Sequence, residues 1–226
     1  MIARVRKFDP RARVGGRMRS NRSFLVNFWI DWEVRRMERS LRQTGPGSPR
    51  PVVFYGSSSI RLWSSLAVDL GDPSVVNLGF GGSTLADCVT YFERLVTPRT
   101  PRSLLVYAGD NDLGEGRSVD DVVDSFRDLV GKVDDQLGPI PLAFLAIKPS
   151  PARWPLMDAI RDANQRIFRE LELRPNSQSI DIVEPMLGPD GRPRPELYDD
   201  DELHLSELGY RVWTEEVAKH RDFLFV

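Results

Sequence analysis

Cysteine occurs once, at Cys88, and histidine only twice, at His204 and His220. A single thiol cannot close an internal disulfide, so the fold must rest on a packed core or a metal rather than on cystine staples. Two imidazoles exclude a multi-histidine metal site and leave two candidates for any step that needs an imidazole base. No apolar run approaches the ~20 residues that span a bilayer. Glycine and proline, 17 of each in 226 residues, stand near ordinary usage, which excludes collagen-like and wholly disordered chains. The remainder, 31 Lys and Arg against 33 Asp and Glu with 41% hydrophobic residues, suits one domain with an appendage or two very small ones.

The charge is uneven. Residues 1–22 carry eight cationic side chains (Arg4, Arg6, Lys7, Arg11, Arg13, Arg17, Arg19 and Arg22) against Asp9 alone, leaving an acidic body. Contact with nucleic acid or anionic lipid, or a targeting role, are the functional readings of such an arm. A solvated tail, or an over-long start of the reading frame, is the plainer one. The stretch 1–30 is therefore expected to be disordered or loosely packed. It lacks the apolar segment of a secretory signal, since the run Phe24 to Ile30 meets Asp31, and the acidic body argues against nucleic acid as the main partner. From Asp31, Trp32, Val34, Met37 and Leu41 recur at helical spacing, predicting a short amphipathic helix. Thr44-Gly45-Pro46-Gly47-Ser48-Pro49 ends it, so 31–49 reads as a helix and linker.

Residues 50–226 read as one domain. Short apolar runs (Val52 to Tyr55, Val75 to Leu78, Leu104 to Ala108, Leu142 to Ile147, Ile180 to Val183) alternate with helical stripes. The stripes are carried by Val119, Val122, Val123, Phe126, Val130, Val133 and Leu137, and by Ile160, Ile167, Phe168 and Leu171. Apolar runs without alternation are strands buried on both faces. Strand then helix, five times, predicts an α/β fold: a five-stranded parallel sheet with helices on both faces, a three-layer α/β/α sandwich of flavodoxin-like type.

Ligands of such sheets bind beyond the carboxyl ends of the strands. Those positions hold Gly56-Ser57-Ser58-Ser59-Ile60, Gly79-Phe80-Gly81-Gly82-Ser83, Gly109-Asp110-Asn111-Asp112 and, near the C-terminus, Asp199-Asp200-Asp201-Glu202-Leu203-His204. The serines either offer a hydroxyl at a helix N-terminus or simply cap that helix. The spacing Asp201-x-x-His204 lets a carboxylate reach the imidazole Nδ1–H and leave Nε2 as a base, with Asp200 the rival partner. A serine, a glycine pair, an asparagine and an Asp-His pair thus fall on one rim.

In this order the four blocks resemble the SGNH (GDSL-type) hydrolase family over roughly residues 50–220. By that resemblance Ser58 would be the nucleophile, His204 the general base and Asp201 its orienter. The Ser58 and Gly82 N–H groups and the Asn111 side-chain amide would be the oxyanion donors. Ser57 stands where the family has Asp, and Ser59 where it has an aliphatic residue, so the choice of Ser58 over Ser57 or Ser59 rests on the two-residue step from Gly56. Gly82 is expected to be glycine because a side chain there would block close backbone approach. The resemblance implies an ester hydrolase acting on a small or medium acyl group without a cofactor. An acyltransferase on the same site, and a non-catalytic binding module on the same scaffold, are the alternatives.

Other signals are weaker. Asp110-Asn111-Asp112-Leu113-Gly114 resembles the start of a calcium loop, but Glu115 occupies the position that requires glycine. Gly79-Phe80-Gly81-Gly82 lacks the third glycine of a dinucleotide fingerprint. The acidic run 199–202 has no second imidazole or thiolate beside it, so no metal is expected. Phe80, Lys148 and Trp154 border the rim and are expected to contact substrate. The absence of a signal, a span and a cystine framework suggests the cytoplasm.

Overall fold

The computed structural model describes residues 24–44 and 50–225. Its first helix, α1 (Phe24–Thr44), begins seven residues before Asp31, within the stretch assigned to the arm. Burial explains the early start. Ile30 and Val34 are buried, and with Met37 and Leu41 they form one i, i+4, i+7, i+11 stripe against the domain. Trp32, two residues from Val34 and hence on the opposite face, is 46% exposed and leaves the expected stripe. Residues 1–23 and the linker 45–49 lie outside the described residues.

The domain then runs β1 (Val52–Gly56), α2 (Ser58–Arg61), α3 (Leu66–Asp69), β2 (Val75–Gly79), α4 (Leu85–Leu95) and β3 (Ser103–Tyr107). It continues with α5 (Asp110–Gly114), α6 (Val119–Leu137), β4 (Leu142–Leu145), α7 (Met157–Glu172), β5 (Ser177–Ile180), α8 (Glu207–Ala218) and α9 (Arg221–Leu224). The sheet order is β2-β1-β3-β4-β5 and every neighbouring pair is parallel. This is the flavodoxin-like order, whose direction reverses between β1 and β3. Right-handed crossovers put α4, α6 and α7 on one face and α2, α3, α8 and α9 on the other.

The central strands β1, β3 and β4 are buried along their whole length, as unbroken apolar runs demand. Phe126 of α6 meets Phe144 of β4 edge to face at 5.2 Å. On the other face Trp213 of α8 lies 4.7 Å from Tyr107, and Trp63 stacks on Tyr210 at 5.4 Å. Helix starts are set locally: Thr84 with Asp87, and Ser118 with Asp121, form reciprocal capping boxes for α4 and α6, each worth about 1 kcal/mol.

The fifth strand departs from expectation. It is Ser177–Ile180, not Ile180–Val183, with Leu145 paired to Ile180 at its end. An edge strand that is half exposed tolerates Ser-Gln-Ser, whereas Ile182 and Val183 are buried in the turn that follows it. No helix among the described residues is long and apolar enough to cross a membrane.

Candidate active site

Three strand ends lie side by side in register, Gly79 beside Gly56 and Gly56 beside Tyr107, so the turns that follow them open onto the same rim. Gly56 has φ +143°, and a Cβ on it would sit 1.8 Å from the Tyr107 carbonyl oxygen. Only glycine lets β1 leave the sheet there. The next three residues divide by burial: Ser57 and Ser59 are 2% exposed, while Ser58 is half-buried and opens outward. Ser57 makes no side-chain capping bond to α2, and its N–H donates to Tyr107 O at 2.9 Å.

Ser58 Oγ lies 3.0 Å from His204 Nε2, across 146 residues of chain. The opposite ring nitrogen, Nδ1, lies 2.5 Å from Asp201 Oδ2. The other oxygen of Asp201 accepts the N–H groups of His204, at 2.8 Å, and Leu203, at 3.0 Å. Burial pushes the Asp201 carboxyl up, but the imidazole and these two N–H groups outweigh it and hold the pKa down to about 2. A carboxylate at Nδ1 favours the tautomer whose Nε2 lone pair faces the serine. The loop is shaped by a left-handed Glu202 (φ +58°) and by Asp199 N–H donating to His204 O at 2.9 Å. Asp200, the rival partner, is exposed, and the imidazole is held by Asp201.

Gly82 occupies a left-handed conformation, φ +66°, in the turn after β2. A Cβ there would meet nothing of the protein itself within 4 Å. Its backbone conformation by itself calls for glycine. Asn111, at the start of α5, donates through Nδ2 to Ser83 O at 3.0 Å, tying the third turn to the second. Asn111 therefore stands against the residue after Gly82, with a second amide hydrogen left to its Nδ2.

Several functional-looking groups escaped the sequence reading. Asp110, 5% exposed, receives Lys148 Nζ at 2.9 Å and Arg153 Nε at 3.3 Å. Asp112, fully buried, accepts the Leu85 N–H at 2.9 Å and so anchors the start of α4. Burial raises its pKa to about 6, partly opposed by that N–H and by Arg117. The Asp-x-Asp spacing around Asn111 was visible, but partners 38 and 43 residues away were not.

The expected substrate contacts do not all reach the rim. Phe80 is fully buried, 5.8 Å from both Tyr55 and Tyr91, and belongs to the core. Lys148 is 1% exposed, paired with Asp110 and 5.7 Å from the centre of the Tyr107 ring, so it offers no free positive wall. Burial works against its charge, yet Asp110 more than offsets this and holds its pKa above the ordinary lysine value. Trp154 is half-buried beneath the Arg192 guanidinium and borders a groove of about 990 Å³ with Pro155, Leu187 and Pro189. A second cleft, about 490 Å³, lies between α1 and the β2 edge. Ser58, Asp201 and His204 line neither. No cluster of three or more His, Cys, Asp or Glu among the described residues could hold a metal.

With this geometry in view, the chain was compared with known proteins. The model of the GDSL-like Lipase/Acylhydrolase family matches residues 40–212. The chain belongs to that family. No curated protein matches its sequence. Among solved structures, this GDSL-like chain resembles one from Streptococcus pneumoniae described as a platelet activating factor (TM-score 0.73, 19% identity, covering 88% of this chain and 96% of that one). It also resembles a GDSL-like lipase from Bacteroides thetaiotaomicron (TM-score 0.69, 19% identity, 86% and 98% covered). A catalytic mutant of an acetylxylan esterase from Geobacillus stearothermophilus is a third neighbour (TM-score 0.64, 16% identity, 78% and 95% covered). At these identities the neighbours establish the fold alone, and ester hydrolysis as the general chemistry is carried by the family.

Proposed function

We propose that the protein is a serine hydrolase that cleaves a carboxylic ester of a small or medium acyl group through an acyl-enzyme. The observation that carries this reading is the continuous chain from Ser58 Oγ to His204 Nε2, and from His204 Nδ1 to Asp201, at 3.0 and 2.5 Å. A serine hydroxyl is a poor nucleophile until a base takes its proton. As Oγ bonds to the ester carbonyl carbon, its proton passes to Nε2 and the carbonyl oxygen becomes an anion. Donors at that oxygen are the Ser58 N–H, the Gly82 N–H and the Asn111 amide. Collapse of the tetrahedral species breaks the bond to the alcohol, which leaves with the proton from Nε2. Water then attacks the acyl-serine, its proton returns through Nε2 to Oγ, and the carboxylic acid departs. Asp201 stays ionised throughout, consistent with its low pKa, and stabilises the imidazolium.

The substrate is a small-molecule acyl ester, with Trp154 the one expected contact whose ring still borders a groove. The decisive test is fluorophosphonate labelling followed by peptide mapping. The expected result is one adduct, on Ser58, absent in His204→Ala. A folded protein that takes no label, beside a serine esterase that does, would leave the binding-module alternative in its place.

A further inference from the structure

Most of helix α1, residues 24–39, lies outside the matched stretch 40–212, yet it reaches the glycine turn. Glu33, whose side chain is 13% exposed, accepts the Gly81 N–H at 2.7 Å through Oε2. Its other oxygen faces Arg61 Nε at 3.5 Å. Arg61 ends α2, the helix that Ser58 begins. One carboxylate on α1 therefore touches both segments that would supply backbone donors to the oxyanion. The Trp29 ring lies against Gly81, where a Cβ would come within 2.6 Å of it, and Arg61 sits 5.9 Å from the centre of that ring. The helix itself is fastened to α4 by Arg94, which bonds Glu38 at 2.8 Å and Asp31 at 3.1 Å.

The residues around Gly82 are held by named bonds. Phe80 N–H donates to Gly56 O at 2.9 Å, Gly81 N–H to Glu33, Ser83 Oγ to Phe80 O at 3.1 Å, and Ser83 O accepts Asn111. Beside these anchors Gly82 takes its left-handed conformation, and the Gly81 anchor holds the peptide that directly precedes the one carrying the Gly82 N–H. A bond from N–H to an ionised carboxylate is among the stronger hydrogen bonds.

We infer that Glu33 is a positioning residue that fixes the Phe80–Gly81 peptide, and through it the adjoining oxyanion donor of Gly82; the inference rests on the ester-hydrolase reading of the site. It would act through the turn without touching substrate.

The test uses the full chain and an activated phenyl acetate. Glu33→Ala is expected to lower kcat about 10- to 100-fold, with KM changed by less than about 2-fold, because misplacement of a donor costs less than its removal. Glu33→Gln keeps an acceptor oxygen and is expected to restore kcat to within about 3-fold of the parent. Hydrogen exchange of the Gly81 amide gives a readout independent of turnover: it should quicken at least about tenfold in Glu33→Ala and stay slow in Glu33→Gln. If Glu33→Ala does not fold, Glu33→Asp, which draws the carboxylate back by one methylene, should show the same two effects. An unchanged Gly81 exchange rate overturns the contact. An unchanged kcat, or equal losses in the Ala and Gln variants, overturns the positioning role. A wild-type protein that takes no fluorophosphonate label instead removes the hydrolase reading, and the exchange data still decide whether Glu33 holds the turn.

Discussion

Asn111 separates two explanations of its own burial: it ties the glycine turn through Ser83 O, and it is the side-chain donor proposed for the oxyanion. Stability and rate distinguish them. Asn111→Asp keeps the shape but offers no donor, and Asn111→Ala removes both. Both variants are expected to lose about 10²- to 10³-fold in kcat with little change in KM, as seen on removing an oxyanion donor elsewhere. If kcat survives while the melting temperature falls, the role of Asn111 is structural. At this scale the sequence was most legible where chemistry is local. Asp201 and His204 are three residues apart, so their bond could be foreseen from spacing, and the step from Gly56 singled out Ser58 over its buried neighbours. The left-handed conformation of Gly82 is a second reason for glycine that its place in the sequence did not show. Phe80 was misjudged because a residue after a strand can turn inward as readily as out.

Helix α4 begins on a buried charge. Asp112 anchors Leu85 N–H, and its pKa stands at about 6, above that of an unfolded aspartate. A carboxyl with a raised folded-state pKa favours the folded state when protonated. Its contribution is therefore greatest below pH 4 and is lost as the pH rises through 6. In urea unfolding Asp112 should contribute about 2 kcal/mol more near pH 4.5 than near pH 7, on the order of its pKa difference. In Asp112→Asn, which cannot ionise but still offers an acceptor to Leu85, that share of the pH dependence should be missing relative to the parent; an unaltered pH profile would acquit Asp112. Asp201 acts in the opposite sense, its contribution being lost only as the pH falls from about 4 towards 2. Among the elements, the buried strands were plain from unbroken apolar runs. The polar edge strand β5 was not, since its Ser-Gln-Ser carries no hydrophobic signal. The start of α1 was hidden because its inward stripe is interleaved with outward aromatics such as Phe28 and Trp32.

Across the whole molecule, Asp110, Lys148 and Arg153 join the end of β3 to the segment after β4 in a buried ion network. Lys148→Met would leave the Asp110 carboxylate with Arg153 alone. Breaking a buried pair typically costs about 3–5 kcal/mol, or about 2–4 °C in melting temperature per kcal/mol for a chain of this size. Adding Asp110→Asn should recover part of the loss, because partners in one network do not add independently. A single variant as stable as the parent would show that the network carries no folding energy. These links were illegible in sequence because they join residues 38 and 43 positions apart, and only the sheet brings them together. The alignment of β1 with β3 has one more consequence. Ser58 and Gly82 lie before the turn at Thr100, and Asn111, Asp201 and His204 after it, so a chain severed there divides the proposed reactive set between the fragments. Turnover would then report the reunion of two pieces, as a split enzyme whose fragments meet along the β1–β3 pair, the α4–α6 packing and the Trp63–Tyr210 stack.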